Sequence, residues 1–198
     1  MKKSIGVIGS GNIGQAVTKH LLKAGFLVVL SNRHGAESLK ELVKSLANDA
    51  KAGSVQDAAK ADIILLAVPW IAVPSLKDAA DWTNKIVIDA TNHFVTPDMQ
   101  VADLGSRASS EEVQDYLPGA RIVKAFNTLA APVLAGDPQQ ASGSRVLFIS
   151  GDDKEAKAEV SEMIKDIGFA PIDIGSLSIG GKLQQPKGAL SLLNIIKL

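Results

Sequence analysis

Three glycines near the start of the chain, Gly9, Gly11 and Gly14, stand in the spacing G-x-G-x-x-G. In this spacing the first glycine allows a sharp turn, the second lets the backbone approach a pyrophosphate, and the third lets a helix pack closely on a strand. The first free N–H groups of that helix, where the helix dipole is positive, can donate to a diphosphate. The alternative is an ordinary turn between a strand and a helix. Since an apolar run precedes the glycines and a helical pattern follows them, the stretch predicts a dinucleotide-binding turn.

The polar residues after the second apolar run indicate which dinucleotide would bind. Ser31, Asn32, Arg33 and His34 stand there, and no carboxylate occurs before Glu37. A site for NAD usually offers an acid to the ribose 2′-OH, whereas a hydroxyl, an amide and a guanidinium suit a 2′-phosphate. These residues therefore favour NADP over NAD. The alternative, a solvated loop, applies more to His34 than to Arg33, because the planar guanidinium fork matches a phosphate.

Two further apolar runs end in residues that could line a crevice beside the glycine turn. The first ends in Ala67, Val68 and Pro69, which would form an apolar wall along the ribose and the nicotinamide. Trp70, the next residue, is expected to pack in the core or to anchor a helix rather than to contact a ring. The second run turns abruptly polar and leads to Asn92, where a carboxamide or a substrate could be hydrogen-bonded.

Several polar residues at the predicted strand ends are candidates for positioning a substrate, but none is assigned as catalytic. Asp89 could act as a general base, although a lone carboxylate at a strand end more often caps the next loop or pairs with a lysine. Lys124 and Asn127 could contact a substrate or the carboxamide, whereas a lysine within a strand can also point to solvent. His93 is predicted to be a loop residue. The three histidines of the chain show no metal-ligand spacing, so no metal site is predicted.

The alternation of short apolar runs with helical patterns predicts an α/β fold, with a doubly wound, mostly parallel Rossmann sheet and a small C-terminal extension. We expect residues 1–198 to form a single NADP-binding Rossmann domain, in which residues 129–198 complete the sheet and line the substrate cleft. Predicted strands begin near Ile5, Phe26, Lys51, Asp62, Lys85, Arg121, Val146 and Phe169. Predicted helices cover residues 13–22, 36–47, 55–60, 109–117 and 154–167, with Asn48 as the stop of the second.

Three other stretches carry turn residues or an apolar end. Residues 96–108 are predicted to be a loop that could fold over the crevice, and residues 132–143 a turn-rich connection that could act as a lid. The tail, residues 175–198, opens with glycines and closes with apolar side chains. Because leaving apolar area in water costs about 25 cal/mol per Å², we expect the tail to pack on the domain or on a second subunit, and homodimerisation is the hypothesis.

Length and composition restrict the class of protein. The chain has 198 residues, of which 46% are hydrophobic, enough for one substantial core. Its 21 basic and 21 acidic residues balance, so neither a nucleic acid nor an anionic membrane is an expected partner. It contains no cysteine, which excludes disulfides and thiol chemistry. No apolar run approaches the ~20 residues that span a bilayer, and no signal peptide is recognised, so a cytoplasmic small-molecule protein is expected.

Five short motifs, in this order along the chain, resemble those of the NADPH-dependent coenzyme F420 reductase family, which is similar to the cytosolic reductase domains of membrane ferric reductases. They are residues 9–14 (GSGNIG), 31–33 (SNR), 66–70 (LAVPW), 123–128 (VKAFNT) and 151–153 (GDD). The resemblance covers essentially the whole chain, and the VPW and GDD elements are not part of a generic dinucleotide-binding fingerprint. It implies a Rossmann domain with NADP in the glycine crevice and a deazaflavin or flavin ring stacked on the nicotinamide.

Carried over by motif position, the resemblance also implies individual cofactor contacts. They are Ser10, Gly11, Asn12 and Ile13 at the turn, Asn32 and Arg33 at the 2′-phosphate, and Val68, Asn92 and Ala131 nearer the nicotinamide. Some members have a basic residue a few positions beyond this arginine, where this chain has Glu37. That difference weakens the preference for NADP without reversing it.

The implied function is hydride transfer between NADPH and a small-molecule acceptor, with coenzyme F420, FMN or FAD as the candidate acceptors. Such a transfer needs two rings held face to face, about 3 to 3.5 Å apart, and little acid–base chemistry. Two alternatives are open. One is an NADP-dependent reductase of another small substrate, such as an imine or a 3-hydroxy acid, which should need an acid–base residue and usually a large helical second domain. The other is a non-catalytic NADP(H)-binding protein that senses the redox state of the nucleotide.

Overall fold

The computed structural model describes residues 3–46, 50–95, 98–140 and 143–198 of the chain. The strands are β1 (Ser4–Ile8), β2 (Leu27–Ser31), β3 (Ala50–Ala52), β4 (Ile63–Leu66), β5 (Ile86–Asp89), β6 (Phe94–Val95), β7 (Gln100–Val101), β8 (Arg121–Lys124), β9 (Gln139–Gln140), β10 (Gly143–Gly151), β11 (Ala170–Asp173) and β12 (Ile196–Lys197). The α-helices are α1 (Asn12–Lys23), α2 (Lys40–Leu46), α3 (Val55–Ala58), α4 (Ser109–Tyr116), α5 (Ala131–Ala135), α6 (Lys154–Asp166) and α7 (Lys182–Gln184). Short 3₁₀ turns cover Ala36–Leu39 and Trp70–Leu76, and a π-helical turn covers Leu177–Gly181.

Most strands belong to one sheet, whose order along the main path is β3-β2-β1-β4-β5-β8-β10-β11. The first six of these strands are parallel to their neighbours. The seventh, β10, runs antiparallel to β8, and β11 pairs with β10 in parallel at the edge. The predicted α/β class and mostly parallel sheet are therefore confirmed. The carboxyl ends of β1, β2, β4, β5 and β8 meet at one edge of the sheet, where open α/β sheets bind their ligands.

Both faces of the sheet are covered by apolar side chains, which is why the central strands read as continuous hydrophobic runs. Successive residues of a strand point to opposite faces. Ile63 and Leu65 join the larger core cluster with residues of α1, α5 and α6, whereas Ile64 and Leu66 join a second cluster with residues of α3 and α4. Helices on both faces of a mostly parallel sheet make the fold doubly wound.

Helix α1, which the glycine turn introduces, is fixed by an apolar stripe and by a glycine stop. Val17 and Leu21 are buried in the larger core cluster. At the other end Gly25 adopts a left-handed conformation with φ of 81°. The Gly25 N–H donates to the carbonyl of Leu22 at 2.9 Å, and the N–H of Phe26 donates to the carbonyl of Leu21 at 3.0 Å. This pair of bonds is the Schellman arrangement that ends many helices, and it turns the chain into β2.

Two of the predicted loops contain structure. Strand β7 lies in the first of them and pairs antiparallel with β6, with Phe94 opposite Val101. Residues 96, 97, 141 and 142 of the two predicted loops, and the predicted helix stop Asn48, lie outside the described residues.

The prediction of an irregular connection from residue 132 was wrong at its start, since α5 occupies Ala131–Ala135 and has a proline in its first turn, where proline needs no N–H partner. The buried ring of His20 on α1 donates through Nε2 to the carbonyl of Leu134, at 2.8 Å, and so ties α5 to α1. Helix α4 starts at the predicted place, but Ala108 is its N-cap, and the carboxylate of Glu111 accepts a hydrogen bond from the Ala108 N–H at 2.6 Å.

The C-terminal tail packs partly on the sheet. After α7, Leu190 lies against the small cluster of Val146, Phe148 and Ala170 on β10 and β11. Strand β12 then pairs antiparallel with the start of β10. Among the described residues, no helix is both long and apolar enough to cross a bilayer.

Candidate functional site

The glycine turn between β1 and α1 can form only because two of its residues lack a side chain. Gly9 has φ of 117°, a conformation that residues with a Cβ rarely adopt. A Cβ on Gly9 would lie 2.2 Å from the carbonyl oxygen of Ala67, and a Cβ on Gly14 would lie 2.0 Å from the carbonyl oxygen of Gly9. The Gly9 N–H donates to the carbonyl of Ser31 at 2.9 Å. The turn is therefore held against the ends of both β2 and β4.

The middle glycine is different, because it faces open space. A Cβ on Gly11 would meet no atom of the protein within 4 Å. Gly11 is also the N-cap of α1, where no side chain caps the helix and no acidic residue stands in the first turn. The backbone N–H groups at this helix start thus have neither a capping side chain nor a competing carboxylate beside them. This bare cradle fits a diphosphate, which is the group that the G-x-G-x-x-G spacing predicts.

A short chain of polar side chains links the glycine turn to the end of β2. Asn32 donates through Nδ2 to the hydroxyl of Ser10 at 3.3 Å and to the hydroxyl of Ser38 at 3.0 Å. Its Oδ1 accepts a hydrogen bond from the N–H of His34 at 2.8 Å. Ser10 and Asn32 are each only half-buried. The structure thus brings the predicted residues Ser10 and Asn32 together at the mouth of the crevice.

The next residue, Arg33, presents an exposed cation at this mouth. Its Nε donates to Nε2 of His34 at 3.2 Å, and no acid lies within ion-pairing distance of it in the part of the chain that the structure describes. Glu37, which stands where some relatives have a base, instead pairs with Lys40 at 2.6 Å. The carboxylate that weakened the preference for NADP is therefore itself paired with an ammonium group.

Ser31 does not lie where its side chain could bind a phosphate directly. Its side chain is fully buried, and its hydroxyl donates to the carbonyl of Val7 at 3.3 Å. Its own carbonyl supports Gly9, as described above. Since a fully buried hydroxyl cannot reach a nucleotide at the surface of the crevice, the structure corrects the expectation for Ser31: it shapes the turn from below. The sequence could not show that this side chain is buried, because the direction of a side chain at a strand end depends on the path of the chain beyond it.

The apolar wall predicted after β4 lies directly beside the glycine turn. The N–H of Ala67 donates to the carbonyl of Ile8 at 2.8 Å, which extends the β1–β4 pairing up to the turn. Ala67 and Val68 are half-buried, and Pro69 is exposed. Trp70 packs against the second core cluster, as expected. Asn12 and Ile13 form the first turn of α1 on the other side of the crevice.

At the next two strands the crevice edge is made of paired amide side chains. Asn127 donates through Nδ2 to Oδ1 of Asn92 at 3.0 Å, and Asn92 donates through Nδ2 to the carbonyl of Asn127 at 3.1 Å. Phe126, just before, is buried with φ of 65°, a strained value for a residue with a side chain. The strained backbone turns the chain after β8, so that Asn127 faces Asn92. Ala131 follows as the half-buried first residue of α5.

Beneath these asparagines lies a fully buried ion pair between Lys124 and Asp89. The two side chains have no exposure, and Nζ of Lys124 donates to Oδ2 of Asp89 at 3.1 Å, to the carbonyl of Thr91 at 3.2 Å and to the hydroxyl of Ser109 at 3.3 Å. Asp89 also accepts from the hydroxyl of Ser110 at 2.5 Å and, through Oδ1, from both the N–H and the hydroxyl of Thr91 at 2.8 and 2.6 Å.

Burial alone would raise the pKa of Asp89, but the charge of Lys124 and the hydrogen bonds from Ser110 and Thr91 outweigh it, so this pKa lies below its ordinary value. The predicted loop cap and lysine pair for Asp89 are confirmed. Both proposed locations of Lys124, in contact with a substrate or pointing to solvent, were wrong. Since every oxygen of Asp89 is occupied, the pair is suited to hold β5 and β8 in register rather than to move a proton.

Gln184 in the C-terminal extension joins this network, although no sequence pattern indicates it. The side chain is fully buried. Its Oε1 accepts from the hydroxyl of Ser150 at 2.6 Å, and its Nε2 donates to the carbonyls of Phe148 at 3.0 Å and Lys124 at 3.3 Å. Asn127 donates through Nδ2 to the carbonyl of Gln184 at 2.8 Å. The extension thus fixes one of the two crevice asparagines.

His93 lies in a loop, as the sequence predicts, but its side chain is buried. Its side chain is only 3% exposed, and its ring lies edge-on to that of Trp70, with centroids 6.2 Å apart. Burial, together with the charges of Lys124 and Lys187, lowers the pKa of His93, and the charge of Asp89 opposes this shift only weakly. The sequence did not indicate this burial, because His93 stands in a polar stretch.

A bare glycine turn before an uncapped helix, on the central strand of a parallel sheet in the order β3-β2-β1-β4-β5-β8, defines a Rossmann dinucleotide-binding protein. The comparisons with known proteins identify the kind of Rossmann protein. The family model described as NADP oxidoreductase, coenzyme F420-dependent, matches residues 4–93, which is less than half of the chain. This part of the chain is similar to an NADP-dependent oxidoreductase family, and the resemblance inferred from the motifs is confirmed.

The individual matches agree with this assignment. Over 175 residues, 88% of the chain, it is 31% identical to Metalloreductase STEAP3 of Rattus norvegicus, and it spans about a third (34%) of the length of that relative. A hypothetical protein of Sinorhizobium meliloti is 39% identical, with a TM-score of 0.94 over all of this chain and 97% of the other. A candidate F420-dependent NADP reductase of Arthrobacter sp. FB24 shares the fold, with a TM-score of 0.78, 24% identity and coverage of 89% and 86%.

Proposed function

We propose that this protein transfers hydride between NADPH and a conjugated ring acceptor, a deazaflavin such as coenzyme F420 or a flavin such as FMN or FAD. The observation that carries the proposal is the cradle at Gly11, where an added Cβ would meet nothing within 4 Å and no side chain caps the helix. A nucleotide diphosphate fits that space. The same edge of the sheet continues over the apolar wall of β4 to the asparagine pair of β5 and β8, which leaves room for a second ring beside the nicotinamide.

Each part of the crevice has a role in this proposal. Gly9, Ser10, Gly11, Asn12 and Ile13 hold the diphosphate through backbone N–H groups. Asn32 and Arg33 bind the 2′-phosphate, and Ser31 contributes through the turn that it supports. Ala67, Val68 and Pro69 pack on the ribose and nicotinamide, while Asn92 and Ala131 orient the carboxamide. NADPH supplies the hydride, and the protein supplies orientation and a dry, apolar surface.

No side chain needs to act as an acid or a base in such a transfer. Asp89 and Lys124 are fully buried and bonded to each other, so they are unsuited to exchange protons with a substrate. The asparagine pair can orient an amide group through its remaining donors and acceptors, but an amide side chain does not titrate. An imine or 3-hydroxy acid reductase needs a proton donor, so the buried acid favours ring-to-ring transfer over this alternative.

The test is anaerobic oxidation of NADPH by the purified protein in the presence of FMN, FAD, coenzyme F420 or a ferric chelate, followed by the loss of nicotinamide absorbance. The ferric chelate is included because the rat relative is named a metalloreductase. We expect turnover with at least one ring acceptor and its loss in Gly11→Ala. Tight NADPH binding without turnover on any acceptor would contradict the proposal and favour a redox sensor, whereas turnover of an imine or a hydroxy acid alone would favour the other reductase class.

We further propose that residues 1–198 act as one cytoplasmic NADP-binding unit that pairs with a second copy of itself through the tail. Large apolar side chains are exposed there, with Leu192 at 72% and Leu198 at 91%. Sedimentation equilibrium should show a dimer, and Leu192→Ser should shift it toward the monomer. A monomeric wild type would contradict this part without affecting the hydride-transfer proposal.

A further inference from the structure

A cavity of about 470 Å³ lies next to the asparagine pair, outside the nucleotide crevice described above. Three parts of the chain surround it: His93 just after β5, the loop that follows β7, and the segment that begins at α7. Its lining includes His93, Asp103, Arg107, Lys182, Lys187 and Gly188. This volume is within the ~300–1,000 Å³ of small-molecule sites.

Four charged residues line the cavity, of which three are basic and one is acidic. Arg107 is bound to Glu112 and Asp115, each at 2.8 Å, so its charge is balanced. Lys182 and Lys187, in contrast, have no acid within 4 Å in the described ranges of the chain. Asp103 lines the cavity too, but its Oδ1 accepts a hydrogen bond from the N–H of Gly105.

A tight turn brings the two lysines, five residues apart in the chain, to the same cavity. A Cβ on Gly188 would lie 2.4 Å from the carbonyl oxygens of both Lys182 and Leu183, so only glycine fits there. Lys187 has a left-handed backbone with φ of 68°, and Leu190 donates through its N–H to the carbonyl of Leu183 at 2.9 Å. The strained turn costs stability, and it places both lysines in the lining of one cavity.

His93 contributes a third polar group. Its ring is almost fully buried and lines the cavity, and its Nδ1 has no hydrogen-bond partner. A buried ring nitrogen without a partner is uncommon, because it loses its bonds to water without replacing them. Burial, with the charges of Lys124 and Lys187, lowers the pKa of His93. His93 is thus neutral at pH 7 and retains one N–H to donate.

We propose that this cavity binds a phosphate or carboxylate group of the hydride acceptor, with Lys182 and Lys187 as the charge partners and His93 as a hydrogen-bond donor. The proposal rests on the proposed function, because it places the acceptor beside the nicotinamide end of the crevice. His93 follows Asn92 directly in the chain, and its ring contacts that of Trp70, which follows the apolar wall, so the cavity neighbours the crevice. An oxyanion there would balance two charges and satisfy the open Nδ1.

The first experiment uses the three histidines of the chain as separate reporters in ¹H–¹⁵N spectra of their imidazole rings. His34 lies beside Arg33 at the nucleotide site, His93 lies in the cavity, and His20 is a buried reference; the variants His34→Gln and His93→Gln assign the signals. Inorganic phosphate should shift the His93 signal saturably. NADPH, in a separate titration, should shift the His34 signal.

The matched variants are Lys182→Ala/Lys187→Ala and the control Lys23→Ala/Lys154→Ala, which removes two exposed ammonium groups at the opposite edge of the sheet. The response of His93 to phosphate should weaken at least about tenfold in the first and remain in the control. An absent response, or one that survives in the first variant, overturns the proposal. If NADPH fails to shift His34, the proposed function fails, and the phosphate titration still decides whether the cavity binds an anion.

The second experiment identifies the source of the anion by comparing FMN with riboflavin, which has the same ring without the phosphate. In Lys182→Ala/Lys187→Ala the KM for FMN should rise about tenfold, while the KM values for riboflavin and NADPH stay within about twofold. Lys182→Arg/Lys187→Arg should restore most of the affinity for FMN. An equal change for FMN and riboflavin, or no change for either, would show that the cavity does not hold the phosphate of the acceptor.

Discussion

The two ends of the crevice are built in opposite ways. At the β1–α1 turn the binding surface is backbone, and its shape depends on side chains that are missing at Gly9, Gly11 and Gly14. At the ends of β5 and β8 the surface is made of side chains, in which Asn92 and Asn127 bond to each other above the buried pair of Lys124 and Asp89. The first end depends on the absence of side chains, and the second depends on polar side chains that are bonded to one another.

This difference predicts how each end responds to substitution. A site made of backbone tolerates an added side chain only where space is open. At such a position a substitution can abolish ligand binding while the fold stays intact. A buried polar network has no such freedom, because removal of one member leaves its partners unsatisfied in a medium that stabilises charge poorly. Damage to the second end should therefore appear first in stability.

The largest effect is expected for Lys124→Met, which keeps the length of the side chain and removes its charge. Asp89 would then be a buried carboxylate without its ion-pair partner, which costs about 3–5 kcal/mol of the free energy of unfolding. Urea denaturation of the wild type and the variant measures this loss. Asp89→Asn/Lys124→Met should recover part of it, and a single-variant loss below about 1 kcal/mol would show that the pair is not what stabilises this end.

The second prediction separates the two kinds of glycine at the first end. In Gly14→Ala the new Cβ would overlap the carbonyl oxygen of Gly9, 2.0 Å away, so we expect a loss of about 1–3 kcal/mol although alanine favours helices. In Gly11→Ala we expect stability within about 1 kcal/mol of the wild type, because the Cβ meets nothing. Thermal denaturation tests both, and equal losses for the two variants would contradict the distinction.

A smaller and more selective effect is expected for Arg33→Ala. Loss of the exposed guanidinium should weaken NADPH about tenfold to a hundredfold, since a charge-assisted hydrogen bond contributes about 1.5–3 kcal/mol. NADH, which lacks the 2′-phosphate, should be affected little. Arg33→Lys keeps the charge without the planar fork and should fall between the two. Similar losses for NADPH and NADH would show that Arg33 does not read the phosphate.

The smallest effect is a pH dependence of stability that comes from His93. Its pKa in the folded protein is lowered from the ordinary value of 6.5 by burial and by Lys124 and Lys187, against the weaker effect of Asp89. The folded state thus favours the neutral ring, and its stability is constant above about pH 6.5 and falls as the pH drops below it. The melting temperature of His93→Gln should fall less steeply between pH 7 and 5, whereas an unchanged slope would contradict the assignment.

The acid range of Asp89 is separate from that of His93. Because its pKa lies below the ordinary 3.8, the stability that it contributes is present above that value and is lost as the pH falls through its folded pKa. The two groups therefore act in the same direction in different pH windows. A slope between pH 7 and 5 that persists in His93→Gln cannot be assigned to Asp89.

How much the sequence predicts differs between the two ends for the same physical reason. Gly9, Gly11 and Gly14 lie within six residues, and the chemistry of a tight turn is local. Their spacing alone therefore predicts the turn between β1 and α1. The location of Asn32 and Arg33 was also predictable, because they follow directly after the apolar run of β2. The burial of Ser31 was not predicted, because whether the last residue of a strand faces the core depends on packing that the sequence does not show.

The second end required contacts between distant residues. Gln184 lies in a tail with a glycine, a lysine and a proline around it, and nothing local indicates that it reaches Ser150 and Lys124 in the core. His93 is a loop residue, as predicted, but its burial involves a contact with Trp70, which is distant in the chain. The fold class, in contrast, was predictable, since alternating helices and apolar strands leave few arrangements of a parallel sheet.

The central claim, that the bare turn at Gly11 binds the diphosphate of NADP(H), is tested most directly by calorimetric titration of NADPH into the wild type and into Gly11→Ala. We expect one saturable site in the wild type, tighter for NADPH than for NADH, and a loss of at least about tenfold in affinity in the folded variant. No heat of binding in the folded wild type, or an unchanged affinity in Gly11→Ala, would contradict the claim.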